Sequence, residues 1–378
     1  MNINYFDNAW HVFSAFAVFI AGLLVFGSRP FRSVSTTLSL RLYCFHSFFC
    51  LYYARFALYN TADAAGYYRR SLSPDVAPGI GTRGVDFFTS IFTQFLGLSY
   101  LGAFLVFNII GALGVLATLA AIRETTTEKT AKVRLIATLI CFAPGINFWT
   151  AAIGKDAISM LGTGLICWAT LNIRKRWLWF PVGAACYLLV RPQVVPIIFI
   201  ALSFSLLISG RMSIVKKVAI ALVLAGPTLF AVQLALSVIG LGDSPQFDGV
   251  NDFIEYRQSV NVHGGSSIDL TSMSLPMQMF YYAFMPLFIG AGGLLGLVAS
   301  IENAFLMMIV VMSIPGLMRR SSSLPPQVKW FYLSFALVLW VIFAMTTANT
   351  GLALRQKWML LPTLLLYCLS YMPARQHR

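Results

Sequence analysis

The feature that most constrains this chain is a succession of apolar runs, each of a length that enters a bilayer, separated by short clusters of Lys and Arg. A helix needs about 20 mostly apolar residues to cross the hydrocarbon core. Inside that core the backbone must satisfy its own N–H and C=O groups, so such runs become helices. Charged residues make up 11% of the chain, against about 25% in soluble domains, and no long polar block interrupts the pattern. The sequence therefore predicts an all-α, polytopic integral membrane protein, with residues 1–378 forming a single transmembrane domain.

The net charge of +14 invites a nucleic-acid reading, but the positions of the bases oppose it. Seventeen of the 27 Lys and Arg stand in clusters between apolar spans: Arg29/Arg32, Arg123/Lys129/Lys132/Arg134, Arg174/Lys175/Arg176, Arg211/Lys216/Lys217, Arg319/Arg320/Lys329 and Arg375/Arg378. This is positive-inside sorting, which orients the chain in the membrane. Placing all these clusters in the cytoplasm requires an even number of crossings between neighbours. The result is about eleven spans, amino terminus outside and carboxyl terminus cytoplasmic. No basic region precedes the first apolar run, Trp10–Phe26, so it reads as a first span rather than a cleavable signal peptide.

The expected spans lie near 9–27, 38–59, 98–122, 134–143, 157–173, 177–190, 194–210, 217–240, 290–317, 330–347 and 358–373. Two outer loops, 60–97 and 241–275, cap a site on the outer face. A short apolar piece near 276–288, with Pro276 and Pro286 near its ends, suits an in-plane or re-entrant helix. The fourth and sixth spans are short, as helices beside a protein-filled or watery cavity can be. The six cysteines all lie in apolar segments without metal or redox spacing and read as small core residues.

The remaining charges raise the functional question. Ten of the 13 acids fall outside or at the amino terminus, among them Asp63, Asp86, Asp156, Asp252 and Glu255. Ten bases belong to no cytoplasmic cluster: Arg41, Arg55, Arg69, Arg70, Arg83, Lys155, Arg191, Arg257, Arg355 and Lys357. Topology disfavours bases in outer loops and burial disfavours them in spans. They gather in five stretches.

NTADAAGYYRRS, residues 60–71, sets Asp63 before Tyr67, Tyr68, Arg69 and Arg70. Aromatic faces suit sugars and Arg suits phosphate, although a solvated loop with interfacial tyrosines explains the same residues. PGINFWTAAIGKDA, residues 144–157, is expected as an outer turn. It sets Lys155 at the start of a helix, where anions bind, while Asp156 can serve as a plain cap. Arg191-Pro192-Gln193 is expected as the turn between spans six and seven. The turn explains Pro192 but not the charge of Arg191. DFIEYRQSVNVHGGSS, residues 252–267, carries Glu255, Arg257 and His263, of which the acid and the histidine can exchange protons; a solvated helix and flexible linker is the plain alternative. NTGLALRQKWMLLP, residues 349–362, puts Arg355 and Lys357 on the outer side. Glu302 and Arg41 lie deeper, as structural ion partners or as cavity lining. His46 reads as a satisfied interior histidine. Metalloprotease, nucleophile-elbow and dinucleotide motifs are absent from the sequence, which disfavours soluble-type hydrolases, redox enzymes and enzymes with a Rossmann domain.

These stretches, together with SIENAF at 300–305 and the VRPQ turn, resemble bacterial polysaccharide-assembly proteins. The nearest group is the O-antigen/oligosaccharide repeat-unit polymerases of the Wzy type, which look related to the C-type (GT-C) membrane glycosyltransferases. That group often has two long, Arg-rich outer loops; here 241–275 is the one long loop. The resemblance implies an enzyme of the bacterial inner membrane working on its outer face. It would transfer a glycan from a polyprenyl-diphosphate donor to the sugar of a second lipid-linked unit, alongside a flippase and a chain-length regulator.

Such a transfer needs a base for the acceptor hydroxyl and cations for the departing diphosphate. The expected base is Asp63, with Glu255 or Asp156 as alternatives. Arg191, Arg355 and Lys155 form the expected diphosphate clamp. Arg69, Arg70, Tyr68, Arg257, His263 and Gln193 are expected to contact sugars or lipid. No cofactor or metal is required, because cationic side chains can neutralise the phosphates. A C-type transferase drawing on a polyprenyl-phosphate sugar, and a flippase or secondary carrier, are the competing expectations.

Overall fold

The computed structural model describes residues 3–60, 62–209, 213–239, 249–260, 267–270, 272–288 and 292–375. Among these the chain is mostly helical, and the isolated antiparallel bridges include Lys129–Ala374 and Ser267–Asn349. The order is α1 (Ala9–Gly27), α2 (Thr36–Tyr59), α3 (Asp63–Ser71), α4 (Thr82–Ser90), α5 (Tyr100–Thr125), α6 (Ala131–Ile140), α7 (Pro144–Thr150), α8 (Lys155–Leu171) and α9 (Ile173–Arg176). There follow α10 (Trp179–Val190), α11 (Val195–Ser209), α12 (Ile214–Ile239), α13 (Val250–Val260), α14 (Leu275–Phe284), α15 (Gly293–Met318), α16 (Pro326–Thr346), α17 (Thr350–Gln356) and α18 (Leu361–Ser370).

Six runs among the described residues are long and apolar enough to cross a membrane: Ala9–Gly27, Tyr100–Thr125, Ala131–Thr150, Lys217–Val238, Gly293–Met318 and Pro326–Thr346. Shorter apolar helices cover Trp179–Val190, Pro192–Ile208 and Leu361–Ser370. The molecule is an all-α, multi-pass membrane protein. Its ends are set by ordinary helix chemistry. Asn8 accepts from the His11 N–H at 2.9 Å to cap α1, Ser35 caps α2, and prolines open α7, α14, α16 and α18, where their missing N–H costs nothing.

Three expectations change in detail. The segment 60–97, expected as an outer loop, holds α3, α4 and a π-helical turn at Ile91–Phe95. The outer turn expected at 144–156 contains α7, so span four is the longer broken run Ala131–Thr150 rather than 134–143. The helix α2, expected as the second span, has the length to cross but is not among the six; it carries Arg41, His46, Arg55 and four tyrosines. The piece near 276–288 is the ten-residue α14, about 15 Å long at helical rise and too short to cross.

The chain divides into two compact units, one of residues 1–124 and 138–191, the other of 125–137 and 192–378. In the first, α8 packs along α10 and α2 against α1 and α7. Its core joins Tyr53, Tyr67, Tyr68, Tyr100, Phe104, Phe107 and Phe148 with small residues. A satisfied polar network crosses it: His46 Nδ1 meets Asn108 Oδ1 at 2.6 Å, His46 Nε2 meets Thr150 Oγ1 at 3.0 Å, and Asn108 donates to Ser47 at 2.8 Å. In the second unit α11 packs on α12 and α16, and α16 also on α14 and α18.

Candidate functional site

In the first unit the site begins with glycines. A Cβ on Gly162 of α8 would stand 2.8 Å from the Gly183 carbonyl oxygen of α10, and one on Gly183 would stand 2.9 Å from that of Gly162. The two backbones are therefore in near contact, which side chains of any size would prevent. This closeness brings the amino end of α8 to the carboxyl end of α10. Asp156 lies in the first turn of α8, where a carboxylate favours the helix dipole. Arg191 is the residue after α10 and donates its backbone N–H to Tyr187 O at 2.6 Å.

Their side chains meet there. Arg191 Nη2 donates to Asp156 Oδ1 at 2.8 Å, with the two side chains 9% and 8% exposed. The Nε–H of Arg191 is buried with no hydrogen-bond partner. Ser159 Oγ, one turn further along α8, is likewise buried without a partner. The polar seam ends one turn on, where Thr163 Oγ1 and Tyr187 OH lie 2.5 Å apart. Lys155, half-buried, is the first residue of α8; the N-cap is Gly154, which offers no side-chain acceptor. The Arg191 guanidinium thus stands at a helix start, a setting that attracts phosphate-like anions.

The segment 79–90 packs beside this place. The Gly81 N–H donates to Leu189 O at 2.8 Å, and a Cβ on Gly84 would stand 2.4 Å from the same oxygen. Next to it, Arg70 Nε reaches both carboxylate oxygens of Asp86 at 2.9 and 3.0 Å, and its guanidinium lies over the Tyr67 ring. The Asp86 hydrogen bond raises the pKa of Arg70 above its ordinary value. Arg69 and Asp63 are exposed at opposite ends of α3.

Tyr68 departs from its expected role. It is 7% exposed and packs edge-on against Tyr100 at 5.2 Å, so its ring belongs to the core rather than to an open stacking face. Burial, more than the nearby Asp7 charge, raises its pKa. Asp156 also departs: a base must be reachable, and this carboxylate is buried against Arg191.

The other expected residues lie in the second unit. Gln193, half-buried, stands in the 3-10 turn Pro192–Val194, and Arg355 is half-buried on α17. Glu255 is exposed on α13, where Gln258 donates to Met345 O at 2.8 Å; Arg257 is on the same helix, its side chain outside the described residues. His263 lies outside the described residues.

The second unit also holds a cluster that sequence reasoning did not assemble. Lys357 Nζ lies 3.6 Å from Glu302 Oε1, donates to Asn303 Oδ1, and is 1% exposed. Asn303 in turn donates to Pro286 O at 3.1 Å. Lys357 thus leaves the expected outer group of bases and becomes the buried partner of Glu302. The signal was available as two opposite charges in separate apolar segments, which tend to pair. No group of three or more His, Cys, Asp or Glu among the described residues is arranged to hold a metal ion. No protein-family model, curated protein or solved structure matches the chain.

Proposed function

We propose that the chain is a bacterial inner-membrane glycosyltransferase of the repeat-unit polymerase type, with about eleven spans, its amino terminus outside and its catalytic face outward. The observation that carries the reading is the buried Arg191 guanidinium, held by Asp156 through one nitrogen while Nε is unpartnered, beside Lys155 at the start of α8. A buried charge that keeps an unused donor is suited to a phosphate. In this reading Asp156 is a positioning residue that aims Arg191 rather than the base. Asp63, exposed at the start of α3, takes the acceptor proton. Arg69, exposed near the end of α3, contacts glycan or lipid.

The second reading is a C-type transferase drawing on a polyprenyl-phosphate sugar. The Asp156–Arg191 pair carries almost no net charge, so Lys155 supplies the excess, and that balance suits a monophosphate as well as a diphosphate.

Deletion of the gene, scored by surface-glycan length on a gel, tests the proposal. Loss of the ladder with a single repeat unit retained is the expected result. Complete loss of surface glycan indicates an upstream step, and an unchanged glycan overturns the polysaccharide reading. In the complemented strain Arg191→Ala should lower polymer yield by roughly tenfold or more, the effect of one lost charge-assisted contact. Wild-type yield from a stably inserted variant would reduce Arg191 to a turn residue.

A further inference from the structure

Far along the chain from Arg191, the second unit carries an open basic groove. Pro373-Ala374-Arg375 runs antiparallel to Glu128-Lys129-Thr130. The Thr130 N–H donates to Pro373 O at 3.4 Å and the Arg375 N–H to Glu128 O at 2.8 Å. Lys129 locks the two strands of chain together. Its ammonium is 3% exposed and donates to Ser370 O at 2.7 Å and Met372 O at 2.8 Å. With its donors committed to carbonyls, Lys129 builds the groove rather than serving a ligand.

The groove has a volume of about 540 Å³ and is lined by Thr130, Ala131, Arg134, Pro373, Ala374 and Arg375. Thr130 Oγ1 already accepts from the Val133 N–H at 3.4 Å, so the start of α6 is capped and the two arginines supply the attraction. Both are exposed, and the neighbouring acid, Glu128, is exposed as well. Arg134 stands where α6 turns apolar: the next residue, Leu135, is 62% exposed. In a membrane-embedded chain, that transition from base to outward leucine marks the depth at which headgroup gives way to acyl chain.

We infer that this groove binds the headgroup phosphate of an anionic phospholipid, with Arg134 and Arg375 on the phosphate and an acyl chain passing Leu135. Two guanidiniums lining one groove match the bidentate acceptors of a phosphate, and basic pockets at the ends of membrane helices hold lipid headgroups on this principle. The site is separate from the proposed transfer reaction and stands or falls without it.

Native mass spectrometry of the purified full chain, offered equal amounts of phosphatidylglycerol and phosphatidylcholine, tests the inference. Wild type should retain phosphatidylglycerol preferentially. Arg134→Ala with Arg375→Ala should weaken that preference by roughly tenfold or more. Lys132→Ala, which removes a neighbouring base outside the groove, should keep it. Arg134→Lys with Arg375→Lys should keep part of it and guards against loss of folding in the alanine variant. Equal retention of the two lipids by wild type overturns the site without recourse to any variant. So does an unchanged preference in the double alanine variant. Inorganic phosphate raising the melting temperature as much as phosphatidylglycerol overturns the lipid and leaves a soluble anion as the ligand.

Discussion

Arg191 and Arg70 show how burial decides the worth of one ion pair. The Arg70–Asp86 pair has good geometry, but its arginine side chain is 49% exposed, and water screens such pairs to about 0–1 kcal/mol. Arg191–Asp156 is shielded on both sides. Removing one partner of such a pair strands a buried charge, at a cost of about 3–5 kcal/mol. Asp156→Asn should therefore lower the thermal midpoint of the detergent-solubilised protein much more than Arg70→Ala does, and equal midpoints would contradict the burial difference. Arg191→Lys keeps the charge but removes the planar fork and the Nε donor. It should retain more stability than Arg191→Ala while its transfer rate stays near that of the alanine variant. Parallel melting and polymer-yield measurements on both variants check this split.

Among elements, the decisive contact is α8 against α10, because it sets where Asp156 and Arg191 stand. The approach depends on Gly162 and Gly183, with Gly164 and Gly114 repeating the device between α8 and α5: a Cβ on Gly164 would stand 2.2 Å from Gly114 O. Gly162→Val must push backbone aside and should destabilise by about 1–3 kcal/mol or more. It should also reduce polymer yield, since the pair moves with the helices. Gly27 of α1 is the control. Beyond its own chain neighbours and helix backbone nothing lies within 4 Å of its Cβ position, and Gly27→Ala should be neutral or stabilising by roughly 0.5–1 kcal/mol. Melting curves of the two variants distinguish a packing requirement from general intolerance of glycine substitution.

At the scale of the molecule, charge is handled differently inside and at the ends. Glu302, Lys357 and Asn303 close a cluster among apolar helices of the second unit. Lys357→Met or Glu302→Gln alone should destabilise by about 3–5 kcal/mol, and Lys357→Met with Glu302→Met should recover most of the loss. A double variant as unstable as the sum of the singles would show that the two charges act independently.

Class and polytopic character followed from the residues alone, because an apolar run of span length has few ways to satisfy its backbone in lipid. The residues bearing unexplained charge were visible for the same reason: Arg191, Lys155 and Glu302 each violate a topological or burial preference. The helices of 60–97 were less visible, since α3 and α4 have nine residues each and short helices depend on tertiary contacts more than on propensity. That buried charges would pair was legible, but which charge meets which was not. Asp156 and Arg191 are 35 positions apart and Glu302 and Lys357 are 55 apart by sequence number, so their partners are chosen by how helices pack. The sequence by itself determined that the chain would be helical, that it would enter a membrane and which charges needed a reason to be there. The tertiary structure alone decided that Asp156 meets Arg191, that Tyr68 is core and that Lys357 is buried with Glu302. Composition and periodicity act locally along the chain, whereas an ion pair or a buried ring exists when distant backbones come within a few ångströms of each other.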